Sequence, residues 1–276
     1  MTNTIHVGIS TCPNDTFSFH ALLAEEIQID GLRLRFELTD VEELNERFLA
    51  GEFDVAKLSF HAALLCAADL WVLPTGSALG SGVGPLLLAA KNSPTEPRRV
   101  LCPGRYTTAA LLYALFHADE GVVEHCVFSD IMPRLKTGEV DRGVCIHEGR
   151  FTWETQGLDL IEDLGERWER ETGALLPLGG IVARRTLDAS CARSIATAIG
   201  SSIDWGRAHP EHALMSMRAH AQELSDDVLN SHVDLYVNEH TRQLGPTGLA
   251  ALEALSAIAR THKLIPQDSP ALELLP

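Results

Sequence analysis

Gly51-Glu52-Phe53-Asp54-Val55-Ala56-Lys57-Leu58-Ser59 and Gly138-Glu139-Val140-Asp141-Arg142-Gly143-Val144-Cys145-Ile146-His147 are one device written twice. Each follows a helical pattern, turns at a glycine, and runs through apolar residues to stop at a polar, chemically useful one. Upstream of each lies a matched strand, polar turn and helix, at residues 5–23 and again at 99–116. A strand–helix–strand plan repeated in both halves predicts two similar α/β lobes. Ligands of such sheets bind beyond the carboxyl ends of the strands. Ser59 and His147 are therefore expected on opposite walls of a cleft between the lobes. Gly-Glu-x-Asp is also a common helix-to-strand turn, and a chance repeat is the competing reading.

At 276 residues, 45% of them apolar and 22% charged, the chain has the composition of one large or two modest globular domains. No apolar run approaches the roughly 20 residues of a membrane span. The longest, residues 83–90, is interrupted by Gly84 and Pro85 and reads as a buried strand. The amino terminus passes through polar residues straight into Ile5-His6-Val7-Gly8-Ile9, without a basic region and apolar stretch of the secretory kind, so a cytoplasmic location is expected. A net charge of −16 argues against nucleic acid or anionic lipid as partner, but leaves a small anionic substrate open. The six cysteines (12, 66, 102, 126, 145, 191) form no Cys-x-x-Cys pair or zinc spacing, and Cys145 reads as strand packing.

Alternation in Leu32-Arg33-Leu34-Arg35-Phe36-Glu37-Leu38 predicts a half-exposed strand. Asp40 with Glu43 resembles a capping box for the helix that follows. Residues 91–97, with two prolines and no apolar residue, are the best linker. The extended run 176–183 carries a Gly179-Gly180 hinge and a second crossing. The expected division is thus residues 1–93 plus 180–276 in a discontinuous larger lobe, and 94–179 in a smaller one. A helix is expected from Phe17 to Glu25, strands at 71–75 and 83–90 closing the first lobe, and a solvated helical region after Thr152. Helices at 188–208, 210–223, 225–239 and 246–262 follow.

His147 sits where a strand meets a loop, and histidine moves protons best near neutral pH. Neighbours on an extended chain face opposite sides, so Glu148 is expected to point away. The alternative is a histidine tied to a backbone carbonyl, and His147 is one of twelve histidines in the chain. Gly104-Arg105-Tyr106-Thr107-Thr108-Ala109 turns into a helix whose free N–H groups suit a carboxylate or phosphate, with simple capping by Thr107 as the alternative. Lys57 and Ser59, two apart on a strand, project to one face. They suit an anionic, oxygen-rich ligand, unless Lys57 makes a structural salt bridge. His61, His117 and His125-Cys126 lack zinc-enzyme spacing, and histidines 209, 212, 220, 232, 240 and 262 fall on predicted helices, by default at the surface. No Walker A, Gly-x-Gly-x-x-Gly or Gly-x-Ser-x-Gly pattern occurs.

Ser10-Thr11-Cys12-Pro13-Asn14-Asp15-Thr16-Phe17 with Phe19, and Ile146-His147-Glu148-Gly149-Arg150-Phe151-Thr152, resemble the 1,4-dihydroxy-6-naphthoate synthases of the futalosine route to menaquinone. Gly104-Arg105-Tyr106-Thr107-Thr108-Ala109 and Lys57-Leu58-Ser59 match in place and order, and the similarity covers essentially the whole chain. The resemblance implies a two-lobed, type 2 periplasmic-binding-protein-like α/β fold with a central cleft and hinge. It implies a cytosolic lyase that needs no metal or redox cofactor and cleaves cyclic dehypoxanthinylfutalosine to 1,4-dihydroxy-6-naphthoate and dihydroxyacetone. The catalytic histidine of the family carries over onto His147. Its substrate-binding segments carry over onto Lys57, Leu58, Ser59 and Thr107, Thr108, Ala109, with Asn14 and Asp15 of the first motif beside them. Trp153 stands where the family more usually has tyrosine. The chorismate dehydratases share the fold but lack the Thr-Cys-Pro-Asn-Asp-Thr loop. A transporter's solute-binding protein is the non-catalytic alternative.

Overall fold

The structure is a computed structural model that describes residues 3–147, 149–220 and 225–276, and counts refer to these. Strand β1 (Asn3–Ser10) leads through helices α1 (Pro13–Ser18) and α2 (His20–Leu23) to β2 (Leu32–Thr39), then through α3 (Val41–Leu49) to β3 (Val55–Ser59). These strands pair in parallel in the order β2-β1-β3. After α4 (Phe60–Leu65) come β4 (Leu70–Val72), β5 (Ala78–Gly80) and β6 (Leu86–Ala90). The plan then repeats: β7 (Arg99–Pro103), α5 (Thr108–Phe116), β8 (Val122–Cys126), α6 (Phe128–Lys136) and β9 (Arg142–Cys145) form parallel β8-β7-β9. The two quoted stretches are β3 and β9, equivalent strands of two sheets. Their likeness is therefore topological rather than a chance turn.

Helix α7 (Gly149–Thr152), strand β10 (Leu158–Asp163) and helix α8 (Leu164–Thr172) lead to β11 (Leu176–Arg184). β11 runs antiparallel beside β3, as β6 does beside β9, so the two sheets match even in their reversed strand. Helices α9 (Ala189–Ala208), α10 (Pro210–His220), α11 (Asp226–Tyr236), α12 (Glu239–Arg242) and α13 (Gly245–Thr261) complete the chain. Helices α9, α10 and α11 pack on α1 and α2, and α13 packs on β11. The expected helix end at 221–223 lies outside the described residues.

Several expectations need correction. β6 does not close the first lobe; it pairs with β9 and β10 in the second sheet, where Leu87 and Leu88 are wholly buried. Residues 91–97 therefore join two strands of one sheet, because a proline-rich polar segment marks a turn whatever it connects. The first crossing lies at residues 81–85. The second lies at 173–175, since all of β11 belongs to the first sheet, from Leu176 opposite Gly80 onward. Gly179 and Gly180 are not a hinge but close-approach positions. A Cβ on Gly179 would stand 2.5 Å from the Leu58 carbonyl oxygen, and one on Gly180 2.7 Å from the Phe60 ring.

The region after Thr152 contains β10, an edge strand whose Leu160 and Ile161 are exposed and so break the two-residue alternation. Helix α1 begins at Pro13 rather than Phe17, a proline at the first helical position being preorganised for the helix. Asp40 caps α3 by accepting from the Glu42 N–H at 2.8 Å, but Glu43 takes the Thr39 hydroxyl instead of closing a box.

The first crossing is held by contact too close for any side chain. Gly84 lies against Gly165 at the start of α8, where an added Cβ would be 2.2 Å from the Gly165 Cα. The Gly84 carbonyl accepts from Arg150 Nη1 at 2.6 Å, and the Pro85 carbonyl from the Leu164 N–H at 3.0 Å. Gly84→Ala is therefore expected to lower the unfolding free energy by about 1–3 kcal/mol, the usual cost of overpacking. A urea titration measures it, and an unchanged midpoint would show that the two glycine segments separate freely.

Candidate active site

The carboxyl ends of β1, β3, β7 and β9 face one cleft between the two sheets, the kind of concave position in which small molecules bind. Asn14, Asp15, Lys57, Leu58, Ser59, Thr107, Thr108, Ala109 and His147 all line it, so the structure brings these nine candidate residues together, while Gly104, Arg105 and Tyr106 stay outside. Ser10, Cys12, the crossing residues Val83, Gly84 and Pro85, and His232 and Tyr236 of α11 join them.

On the floor, Lys57 Nζ lies 2.6 Å from Asp15 Oδ1, with both side chains almost fully buried. Asp15 also accepts from Asn14 Nδ2 at 2.8 Å and from the Ser10 hydroxyl at 2.6 Å, while Lys57 reaches the Gly76 carbonyl at 3.3 Å. Lys57 thus does both things the sequence left open: it makes a structural ion pair and it faces the cleft. Ser59 is held by Asn45, which donates to the Ser59 hydroxyl oxygen at 3.1 Å and accepts the Ser59 N–H at 2.9 Å. The Ser59 hydroxyl thus accepts from Asn45 while lining the cleft.

On the facing wall, Thr107 caps α5 by accepting from the Ala110 N–H at 3.1 Å. The Thr108 and Ala109 N–H groups, as the first two of the helix, have no carbonyl one turn back and present donors to the cleft. The Thr108 hydroxyl is already committed to the Leu178 carbonyl at 2.6 Å. The turn ahead of the helix is also taken. The Glu42 carboxylate, reaching across from α3, accepts from the Arg105 N–H and, at 2.9 Å, from the Tyr106 N–H. Anion recognition at Gly104–Arg105–Tyr106 is thus satisfied by the protein itself. Burial raises the Glu42 carboxyl above its ordinary range, and the donors of Tyr106, Asn45 and Arg105 oppose it.

His147 adopts φ 55°, the left-handed region that histidine visits more readily than most residues. This bend turns the ring out of the line of β9 and toward the first lobe. Cys12 Sγ lies 3.3 Å from Nδ1 and 3.4 Å from Nε2, and the edge of Phe128 packs at a centroid distance of 4.7 Å. Burial lowers its pKa to about 4; the Asp15 carboxylate pulls it upward and the Lys57 ammonium pushes it down. The imidazole is therefore neutral at pH 7, with a lone pair able to accept a proton. Arg150 of the same motif holds this loop through Gly84 and through Asp163, at 2.7 Å. Glu148 lies outside the described residues.

His232, expected at the surface, is only 1% exposed. Its helix buries Leu229, His232, Val233 and Tyr236, and this i, i+3, i+4, i+7 spacing was the available signal of an inward face. Among the described residues no group of three or more His, Cys, Asp or Glu is arranged to hold a metal ion, and no helix is long and apolar enough to cross a membrane.

The ion pair on the floor sets a stability prediction. Asp15→Asn leaves a buried ammonium without its counter-charge and is expected to cost about 3–5 kcal/mol in urea unfolding. Asp15→Leu with Lys57→Met removes both charges and is expected to recover most of that loss. Equal stability of Asp15→Asn and the parent would mean that water reaches the pair.

The profile of the family described as menaquinone biosynthesis matches residues 5–261. A Thermus thermophilus protein named 1,4-dihydroxy-6-naphthoate synthase is 43% identical over 262 residues, 94% of this chain and 95% of that one. One of the same name from Streptomyces coelicolor is 39% identical over 275 residues, 97% of each chain. The crystal structure of protein AF1704 from Archaeoglobus fulgidus superposes with a TM-score of 0.89 at 29% identity, covering 95% of this chain and 98% of that one. The periplasmic aliphatic sulphonate binding protein SsuA of Escherichia coli shares the fold alone, at a TM-score of 0.64 and 15% identity over 99% and 94% of the two chains. With that likeness the expected periplasmic-binding-protein-like architecture is in place, and the chain belongs to the menaquinone-biosynthesis family that includes the 1,4-dihydroxy-6-naphthoate synthases.

Proposed function

We propose that this chain is a carbon–carbon lyase that cleaves cyclic dehypoxanthinylfutalosine to 1,4-dihydroxy-6-naphthoate and dihydroxyacetone, with His147 as general base. One observation carries the reading: an imidazole stands at a strand end inside the cleft, against Cys12 and beside a buried ion pair. The substrate carboxylate meets the Thr108 and Ala109 N–H groups, which stand ahead of the first intrahelical bonds, and the Ser59 hydroxyl. The sugar-derived part then lies toward His147. His147 removes a proton, the carbon–carbon bond breaks, and its electron pair passes into the ring system, whose aromatisation supplies driving force. Asp15 stabilises the imidazolium that forms, since its carboxylate favours the charged ring.

The test is turnover of that substrate by the purified protein. A general base contributes typically about 10²–10⁴-fold, so His147→Asn is expected to fold, bind substrate and lose at least about 100-fold in kcat. The base works unprotonated, and a folded-state pKa of about 4 keeps it so down to mildly acid pH. The parent rate is therefore expected to stay level from pH 8 to about 5 and to fall only on approach to 4, with circular dichroism monitoring the fold. Near-parental turnover by His147→Asn would remove its catalytic role. Binding without product in the parent would favour a solute-binding protein, and turnover of chorismate instead would favour a dehydratase.

A further inference from the structure

A second imidazole faces the cleft without a task. His232 is buried to 1% exposure, and among the described residues neither of its ring nitrogens has a hydrogen-bond partner beyond a marginal contact with its own backbone. That is a rare condition, because buried polar side-chain atoms are almost always paired. Its surroundings explain the lack. The ring packs against Tyr236 at a centroid distance of 4.5 Å and Phe151 at 6.1 Å, and lies near-parallel to His147 at 6.2 Å. Aromatic neighbours fill the space but offer the nitrogens nothing in return. A phenylalanine would pack there as well without stranding two polar atoms. The open side of the ring is the cleft.

We propose that His232 is a substrate-contacting residue, whose imidazole hydrogen-bonds an oxygen of the hydroxyl-bearing, sugar-derived part of the substrate and so positions the reacting carbon against His147. The proposal rests on the lyase reading above. A neutral imidazole carries one N–H donor and one lone pair, the complement that a hydroxyl group satisfies from either side. Burial, with the neighbouring His147 and Lys57, disfavours protonation of His232, so it presents this mixed pair rather than two donors. A carboxylate or ketone oxygen would want donors only; an alcohol fits a mixed site. Two imidazoles with centres 6.2 Å apart reach adjacent oxygens of one bound molecule. His147 is then the ring that takes the proton and His232 the ring that holds the neighbouring group.

The test compares His232→Phe, which keeps the aromatic packing, with His232→Gln, which restores a donor and an acceptor. Thermal unfolding, kcat, KM and the calorimetric Kd for cyclic dehypoxanthinylfutalosine are measured for each. His232→Phe is expected to unfold at or above the parental temperature and to lose at least about tenfold in kcat/KM and in affinity, on the order of one hydrogen bond to substrate. His232→Gln is expected to recover part of both. Parental kcat/KM and Kd in a folded His232→Phe would overturn the proposal, as would equal losses in the two variants accompanied by equal destabilisation. If the parent binds the compound without converting it, only the lyase reading fails, and the Kd comparison still decides His232. If the parent neither binds nor converts it, both fail.

Discussion

The Lys57–Asp15 pair, sealed from water where β1 and β3 end, is the constraint on which the site depends. Two charges so deeply buried are tolerated only with close geometry and their other valences filled. Ser10 and Asn14 supply this for Asp15, and the Gly76 carbonyl for Lys57. Those demands fix the first turn of α1 against β3, at the point where the strand order β2-β1-β3 reverses direction. Ligands of open α/β sheets collect at such points. The second lobe repeats the topology with different contents: at the equivalent ends of β7 and β9 stand the α5 terminus and His147. One fold unit written twice thus yields a wall of fixed charge opposite a wall of donors and a proton acceptor.

The walls are joined by polar contacts that form a continuous line. Ser59 at the end of β3 is bonded to Asn45; Asn45 donates to Glu42 at 3.1 Å; Glu42 holds the backbone of Arg105 and Tyr106 in the other lobe. Gly104, at φ 89°, leaves no room for a side chain, since a Cβ there would stand 2.4 Å from the Glu42 carboxyl carbon. The carboxylate of Glu42 therefore fills the turn, and the ligand is left the N–H groups one step further on, at Thr108 and Ala109. In the proposed reading, an acidic residue of the protein's own thus sets where the substrate carboxylate binds.

The parts legible in the sequence are those that local pattern determines. The glycine turns and apolar runs that end at Ser59 and His147 mark β3 and β9, and the polar loop after β1 marks the residues around Asp15. Strand partnership was not legible. β6 has the same apolar character whether it pairs with β5 or with β9, and only the second sheet's need for a reversed neighbour beside β9 decides it. β10 was hidden because an exposed edge strand shows no clean alternation. Glu42 in the Tyr106 turn joins residues 64 apart, beyond any window of periodicity. His232 was readable in principle from the buried stripe on α11, but a histidine among the apolar positions of a helix says nothing by itself of what it faces.

The fold is shared with a sulphonate-binding protein at 15% identity, so chemistry here has to come from what the cleft holds rather than from its shape. An oxyanion site is served by donors, and the Thr108, Ala109 and Ser59 positions provide them. A neutral imidazole turned toward the same space offers a lone pair, which repels an anion and is useful only for taking or sharing a proton. Burial is what keeps His147 in that state, and Lys57 adds to it. Asp15 works in the opposite sense and favours the imidazolium once a proton has arrived. The ion pair that shapes the floor thus acts on both sides of the proposed proton transfer: its ammonium helps keep the base free beforehand, and its carboxylate steadies it afterward.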